Sequence, residues 1–166
     1  KFIIPQKVCG RERETDVLLS SFENVTSREK GAAAVVVSGA PGIGKSALVH
    51  EILKPIVAKR GYFISGKYEQ FRRDKPYSAI IQAFQVLVRQ ILSESEEMIK
   101  IWKEDLLTVV GENGRVITEV IPDMEMIIGR QPELQALGPE ETKNRFNFVF
   151  EKFTNVFPAK GHPIAL

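Results

Sequence analysis

A glycine-rich loop between an apolar run and a helical pattern constrains the fold of this chain more than any other feature. The loop, Gly39-x-x-x-x-Gly44-Lys45-Ser46, is a complete phosphate-binding P-loop signature. The preceding run, residues 32–37, is apolar and rich in β-branched valine, which is typical of a strand covered on both faces. The order of strand, loop and helix predicts a site for a nucleoside triphosphate in an α/β domain.

Each residue type in the loop has a physical use. Glycines let backbone N–H groups approach phosphate oxygens without a Cβ in the way, and the helix that follows directs its positive end at the same anion. We expect Lys45 to reach the β- and γ-phosphates, and the Ser46 hydroxyl to be a ligand of Mg²⁺. The sequence therefore predicts that ATP or ADP is bound by Gly39, Ala40, Pro41, Gly42, Ile43, Gly44, Lys45, Ser46 and Ala47.

Composition limits the other classes of function. The 166 residues fit one domain, and 23 basic against 21 acidic residues leave a net charge of only +2, which makes a nucleic-acid partner unlikely. Cys9 is the single cysteine, so no internal disulfide or cysteine zinc site is expected. No apolar run approaches the roughly 20 residues that span a bilayer. We expect no membrane partner and a cytoplasmic location.

Hydrophobic periodicity predicts the remaining elements. An α/β fold with one parallel sheet, helices on both faces and residues 77–129 as an inserted helical layer is expected, and Ser93 to Glu96 fits a capping box. Pro55 and Pro122 are predicted to interrupt their helices. The predicted helices are 11–25, one from 45, 77–92, 96–110, 115–128 and one from 138, and the predicted strands are 33–37, 62–65 and one from 163.

The acids that hydrolysis requires are not evident. P-loop enzymes use an acidic residue after a neighbouring strand to support Mg²⁺ and another group to position water. The strand from residue 163 is followed by no acid before Leu166, so we expect a piece of a longer protein that is truncated before the Walker B acids and does not hydrolyse nucleotide. None of the earlier candidate acids follows an apolar strand of four residues, so we expect them to be solvated charges; they are Glu69, Asp74, Asp105, Asp123 and Glu125.

Four segments together resemble one known family. They are VCGRERE at 8–14, VVVSGAPGIGKSALVHEI at 35–52, GYFISGKYEQFRRDKPYSAIIQAF at 61–84 and ETKNRFNFVFEKF at 141–153. The chain resembles the AAA-related ATPase domain of large bacterial multidomain signalling kinases, which combine serine/threonine and histidine kinase domains, in the class of signal-transduction ATPases. Nearly the whole chain is covered by the resemblance, although only the P-loop is chemically specific.

The resemblance implies a P-loop three-layer sandwich and a regulatory role beside other domains of a parent protein. It divides the chain into a nucleotide-binding core at 1–66, a helical insertion at 67–138, and a last helix with the start of the Walker B strand at 139–166. It also makes Val8, Gly10 and Arg11 candidate contacts of the adenine and ribose. Two alternatives stay open at this stage, a small-molecule phosphotransferase with a lid at 67–137 and a DNA-linked ATPase.

Overall fold

The structure is a computed structural model that describes residues 10–27, 31–68 and 77–166. The chain divides between Arg60 and Gly61 into two compact units. This division lies close to the predicted end of the nucleotide-binding core at residue 66, but it assigns the strand after Gly61 to the second unit. The predicted three-part division stays a prediction.

Three helices form in the described part of the first unit. They are α1 (Glu12–Thr26), α2 (Lys45–His50) and α3 (Leu53–Ala58). α1 packs against α2, and the buried apolar side chains are Leu18, Phe22, Leu48 and Ile56. The helix predicted at 11–25 is confirmed, and the helix after the P-loop breaks before Pro55, as predicted.

The apolar run before the P-loop does not form the predicted strand. Residues 31–40 have neither helical nor strand structure, and Val36 is 89% exposed. A strand needs a hydrogen-bonded neighbour, whereas residues 31–38 form no backbone hydrogen bond with another described residue. The prediction of a strand at 33–37 is wrong for this structure, and the three-layer sandwich as a whole stays a prediction.

A short parallel pair of strands opens and closes the second unit. β1 (Tyr62–Phe63) pairs with β2 (Ile164–Ala165), with Tyr62 opposite Ile164. The N–H groups of Tyr62 and Ile64 donate to the carbonyl oxygens of Pro163 and Ala165, at 2.8 and 2.9 Å. Both strands were predicted, and their parallel direction agrees with the predicted parallel sheet.

Five α-helices lie in the described residues between these strands. They are α4 (Ser78–Leu92), α5 (Glu96–Val110), α6 (Gly114–Val120), α7 (Glu125–Ile128) and α8 (Pro139–Ala159). Pro122 begins a 3₁₀ turn between α6 and α7, so the predicted interruption is confirmed. The capping prediction is wrong by two residues, because Ser95 caps α5 by accepting from the N–H of Met98, while the Ser93 hydroxyl donates to the carbonyl of Gln90 at the end of α4.

One core joins α8 to the predicted helical insertion. Trp102 of α5 lies 5.2 Å from the ring of Phe157 of α8, and Phe84 of α4 lies 5.4 Å from the ring of Phe153. All four side chains are buried, and each contributes roughly 1.5–3 kcal/mol by leaving water. The phenylalanine stripe of the last helix is therefore core, as its spacing predicted.

Hydrogen bonds to the half-buried carboxylate of Glu94 join β1 to this core. Glu94 accepts one hydrogen bond from the Tyr62 hydroxyl, at 2.6 Å, and another from Trp102 Nε1, at 3.2 Å. Burial of the Tyr62 side chain, aided by its hydrogen bond to Glu94, raises the pKa of its hydroxyl well above the ordinary value. The tyrosine stays neutral, and it fixes the start of β1 against α4 and α5.

Candidate functional site

The P-loop is closed by its own lysine. Lys45 Nζ donates to the carbonyl oxygens of Gly39 and Ala40, each at 2.9 Å. Gly42 and Gly44 have φ of 79° and 92°, values that side chains with a Cβ rarely adopt. The loop turns back on itself at these glycines, so that the ammonium group lies at its mouth.

Helix α2 begins directly at the end of the loop. Gly44 is its N-cap and provides no side-chain hydrogen bond, while the N–H of Leu48 donates to the Gly44 carbonyl. The N–H groups of the first residues, Lys45 to Ala47, precede the first backbone hydrogen bond of the helix and are available to an anion. The predicted phosphate-binding residues are therefore arranged as consecutive loop and helix-start positions.

Arg11 is brought to the same loop from a position 32 residues earlier in the chain. Its Nη2 donates to the carbonyl oxygen of Ile43 at 2.6 Å. The Arg11 carbonyl accepts from both the N–H and the hydroxyl of Thr15, at 3.0 Å each, so the residue is fixed at the start of α1. Gly10 lies beside it, and its N–H donates to Glu12 at 3.2 Å.

Two cations therefore face the P-loop backbone. An ammonium has three N–H donors and a guanidinium has five, whereas the hydrogen bonds described above use two donors of Lys45 and one of Arg11. Donors remain on both groups for an anionic ligand. Since charge-assisted hydrogen bonds to phosphate are stronger than neutral ones, the chemistry of this site suits a polyphosphate.

Among loop residues 39–47, Ser46 has the one side-chain oxygen that could bind a divalent ion. Ser46 is exposed at the second position of α2, and its carbonyl oxygen lies 2.6 Å from His50 Nδ1. One protein hydroxyl can hold Mg²⁺ only when phosphate oxygens and water molecules complete the coordination shell of the ion. Within the described ranges no group of three or more His, Cys, Asp or Glu side chains could hold a metal ion.

Two of the candidate acids, Asp105 and Asp123, form ion pairs in the structure. Asp105 is not a solvated charge as expected: it forms an ion pair with Lys160 at 2.7 Å, and its Oδ2 is buried. Asp123 pairs with Arg89 at 2.9 Å, and Glu125 is exposed as expected. Val8, Glu69 and Asp74 lie outside the described residues.

The structure thus connects Arg11 to the loop through the carbonyl oxygen of Ile43, whereas the N–H of Gly10 donates to Glu12 at the start of α1. The sequence did not predict the hydrogen bond from Arg11 to the loop. The family resemblance made this residue a candidate contact of the adenine and ribose only. The sequence shows an arginine just before the first helix, but no spacing rule predicts that it contacts residue 43. Nucleotide contact by any of these residues stays a prediction.

No helix in the described part of the chain is both long and apolar enough to cross a membrane. A family model described as AAA ATPase domain matches residues 7–166. The chain belongs to the AAA ATPase domain family. Because the match spans nearly the whole sequence, it includes the P-loop, Arg11 and both strands of the second unit.

Two curated relatives of this AAA ATPase domain are signalling kinases. Hybrid signal transduction histidine kinase G of Dictyostelium discoideum is 37% identical over 163 residues, which is 98% of this chain and 5% of the relative. Histidine protein kinase 1 of Candida albicans is 25% identical over 117 residues, 70% of this chain and 5% of the relative. The chain therefore spans about one twentieth of the length of each.

Both relatives are eukaryotic, and both names specify a histidine kinase. The resemblance to histidine kinase signalling proteins is confirmed, whereas its bacterial origin and the serine/threonine kinase stay predictions. No solved structure matches this chain.

Proposed function

We propose that this chain is a nucleotide-binding regulatory ATPase domain of a larger signal-transduction protein, and that it binds the phosphates of ATP or ADP through residues 39–47. The observation that carries the proposal is the position of Lys45, whose ammonium is held at the mouth of a complete P-loop by two carbonyl oxygens. A positive charge fixed there has unused donors for a β-phosphate. Membership of the AAA ATPase domain family supports the same ligand.

We infer the regulatory role from the much longer signalling proteins that contain a similar domain. The relatives are histidine kinases of which a domain of this size is about one twentieth. A nucleotide that binds one arrangement of a domain better than another shifts the population between them. We infer that ATP or ADP occupancy changes how this domain packs on other domains of its parent protein, and that slow hydrolysis in the full protein resets it.

Magnesium enters this proposal through Ser46. Its hydroxyl would be one ligand, with the remaining ligands supplied by phosphate oxygens and water. The bound ion would neutralise phosphate charge, and the protein would supply orientation through the loop amides. The loop amides and Lys45 would donate to the β-phosphate, which ATP and ADP share. The affinity for the two nucleotides should therefore be similar.

Calorimetric titration of the 166-residue chain with ATP, ADP and AMP tests the proposal. We expect ATP and ADP to bind with affinities within a few fold of each other and AMP to bind at least about tenfold more weakly, the effect of losing about 1.4 kcal/mol. Ser46→Ala should remove most of the dependence on Mg²⁺, whereas Ser65→Ala, at an exposed position outside the loop, should retain it. Equal affinities for AMP and ADP would contradict phosphate recognition by the loop.

A further inference from the structure

A cavity of about 540 Å³ lies in the second unit, outside the P-loop. Its walls come from the turn between α5 and α6, the extended segment 132–137 and the first half of α8. This volume is within the roughly 300–1,000 Å³ range of small-molecule sites. Nothing in the proposed nucleotide function uses these residues.

Hydrogen bonds fix the extended wall at both ends. Gln131 Nε2 donates to the carbonyl oxygens of Ile128 and Gly129, at 3.0 and 3.1 Å. The N–H of Gly138 donates to the Glu141 carboxylate at 2.9 Å. The cavity is therefore formed by a wall with a defined conformation, which lowers the cost of ordering it around a ligand.

Charges of both signs line this cavity without pairing with one another. Arg145 is half-buried, its Nη1 donates to the carbonyl oxygen of Gln135 at 2.9 Å, and its Nε is buried without a hydrogen-bond partner. Glu112 and Glu133 also line the cavity. Within the described ranges, neither carboxylate forms an ion pair or a hydrogen bond through its side chain, and Arg145 has no acidic partner.

This pattern of charge indicates the chemistry of a ligand. A guanidinium with donors in excess of its partners favours a carboxylate, which it can bind through two parallel hydrogen bonds. Two carboxylates on the rim favour a cationic group, and Leu134 and Leu137 add apolar surface to the same cavity. A ligand that carries both a carboxylate and an ammonium can therefore pair with charges of both signs in this cavity.

We propose that this cavity binds a small zwitterion of the amino-acid class, either a free apolar amino acid or a short peptide with free termini. The ligand carboxylate pairs with Arg145, its ammonium faces Glu112 and Glu133, and its apolar side chain contacts Leu134 and Leu137. The site gives the domain a second, nucleotide-independent ligand through which a metabolite can influence it.

Nuclear magnetic resonance titrations of the whole chain with leucine and with leucyl-leucine test this proposal. We expect saturable shifts of the amide signals of residues 112–113 and 133–137 with at least one of the two, and the tighter of them identifies a free amino acid or a peptide as the source. N-acetyl-leucine lacks the ammonium and leucinamide lacks the carboxylate, so each should bind at least about tenfold more weakly than leucine. No saturable shift with either zwitterion up to about 10 mM, a concentration that detects binding free energies near −3 kcal/mol, overturns the proposal.

Matched variants connect the binding to the charged side chains. Arg145→Gln and Glu133→Gln should each weaken the affinity for the better zwitterion about tenfold or more, whereas Arg130→Gln and Glu104→Gln, at exposed positions outside the cavity, should not change it. Glu133 is exposed, so its variant keeps the test valid if Arg145→Gln unfolds. Equal effects in a cavity variant and its control, or equal affinity for leucine and N-acetyl-leucine, contradict the proposal.

Discussion

Arg11 Nη2 donates a hydrogen bond of 2.6 Å to the carbonyl oxygen of Ile43, which ties the start of α1 to the P-loop. The bond has two effects. It satisfies a carbonyl in a loop whose N–H groups are needed by an anion, and it places a permanent positive charge beside the proposed phosphate site. Arg11 is therefore expected to support the loop conformation and to add to its electrostatic attraction.

Arg11→Gln should lower the affinity for ADP about three- to tenfold, because a loop hydrogen bond and a nearby charge are lost together. Arg13→Gln is the matched control. Arg13 is exposed in the first turn of α1, and its substitution removes the same charge. Calorimetric titration of both variants measures the difference. If the two variants lose affinity equally, general charge is responsible and the contact with Ile43 has no specific role.

Gly66 allows a close approach to α4. A Cβ added to Gly66 would lie 1.7 Å from the carbonyl oxygen of Ala79 in the first turn of that helix. Gly66→Ala must move backbone, and we expect it to lower the free energy of unfolding by about 1–3 kcal/mol. Urea denaturation measures this, with Ser65→Ala as an exposed neighbouring control, and wild-type stability in Gly66→Ala would contradict the close approach.

The buried hydroxyl of Tyr62 predicts a loss of stability at alkaline pH. The pKa of Tyr62 in the folded chain is raised above its unfolded value of 10.0, mainly by burial and also by Glu94. Below pH 10.0 both forms are neutral; above it the unfolded tyrosine ionises first, so the free energy of unfolding falls by up to about 1.4 kcal/mol per pH unit.

Tyr62→Phe removes this titration while leaving the other alkaline groups in place. The stability difference between the wild type and Tyr62→Phe should be constant from about pH 8 to 10 and should then decrease as the pH rises towards about 11. Urea denaturation of both proteins across this range gives the difference directly. A difference that stays constant above pH 10 would show that the tyrosine ionises equally in both states.

The 166-residue chain should bind ATP without steady hydrolysis. Ser46 offers Mg²⁺ only a hydroxyl, and of the acids considered, Asp105 and Asp123 are engaged in ion pairs with Lys160 and Arg89. Hydrolysis also needs a group that orients the attacking water, and we assign that role to none of the described candidate acids. A phosphate-release assay measures this: turnover that Lys45→Ala abolishes would place a catalytic acid within this chain.

Sequence patterns predicted the helices and the P-loop turn, because these elements depend mainly on residues that are close together in the chain. The apolar stripe of α4 specifies a helix whatever its neighbours are, and the glycines and Lys45 of the P-loop specify a turn before a helix. The strand predicted at 33–37 depends instead on hydrogen bonds from another strand, which the apolar run itself does not contain. Its valines therefore indicated a strand that the described residues do not form.

Contacts between distant residues were beyond sequence reasoning. Asp105 lies within a predicted helix and follows no apolar strand, so the sequence predicts a solvated charge, yet Lys160 reaches it from the end of α8. Ser93 fitted a capping box, but its hydroxyl was already used at the end of α4. The charged cavity around Arg145 is likewise assembled from three segments, none of which has a recognisable motif.

Lys45→Ala tests the central claim most directly. The variant removes the ammonium held by Gly39 and Ala40, and because Lys45 contributes to no buried core, its melting temperature should remain close to that of the wild type. Lys54→Ala, an exposed lysine outside the loop, is the matched control. Calorimetric titration with ATP in the presence of Mg²⁺ should show affinity reduced at least about tenfold in Lys45→Ala and unchanged in Lys54→Ala, whereas unchanged ATP affinity in a folded Lys45→Ala protein would contradict nucleotide binding by this loop.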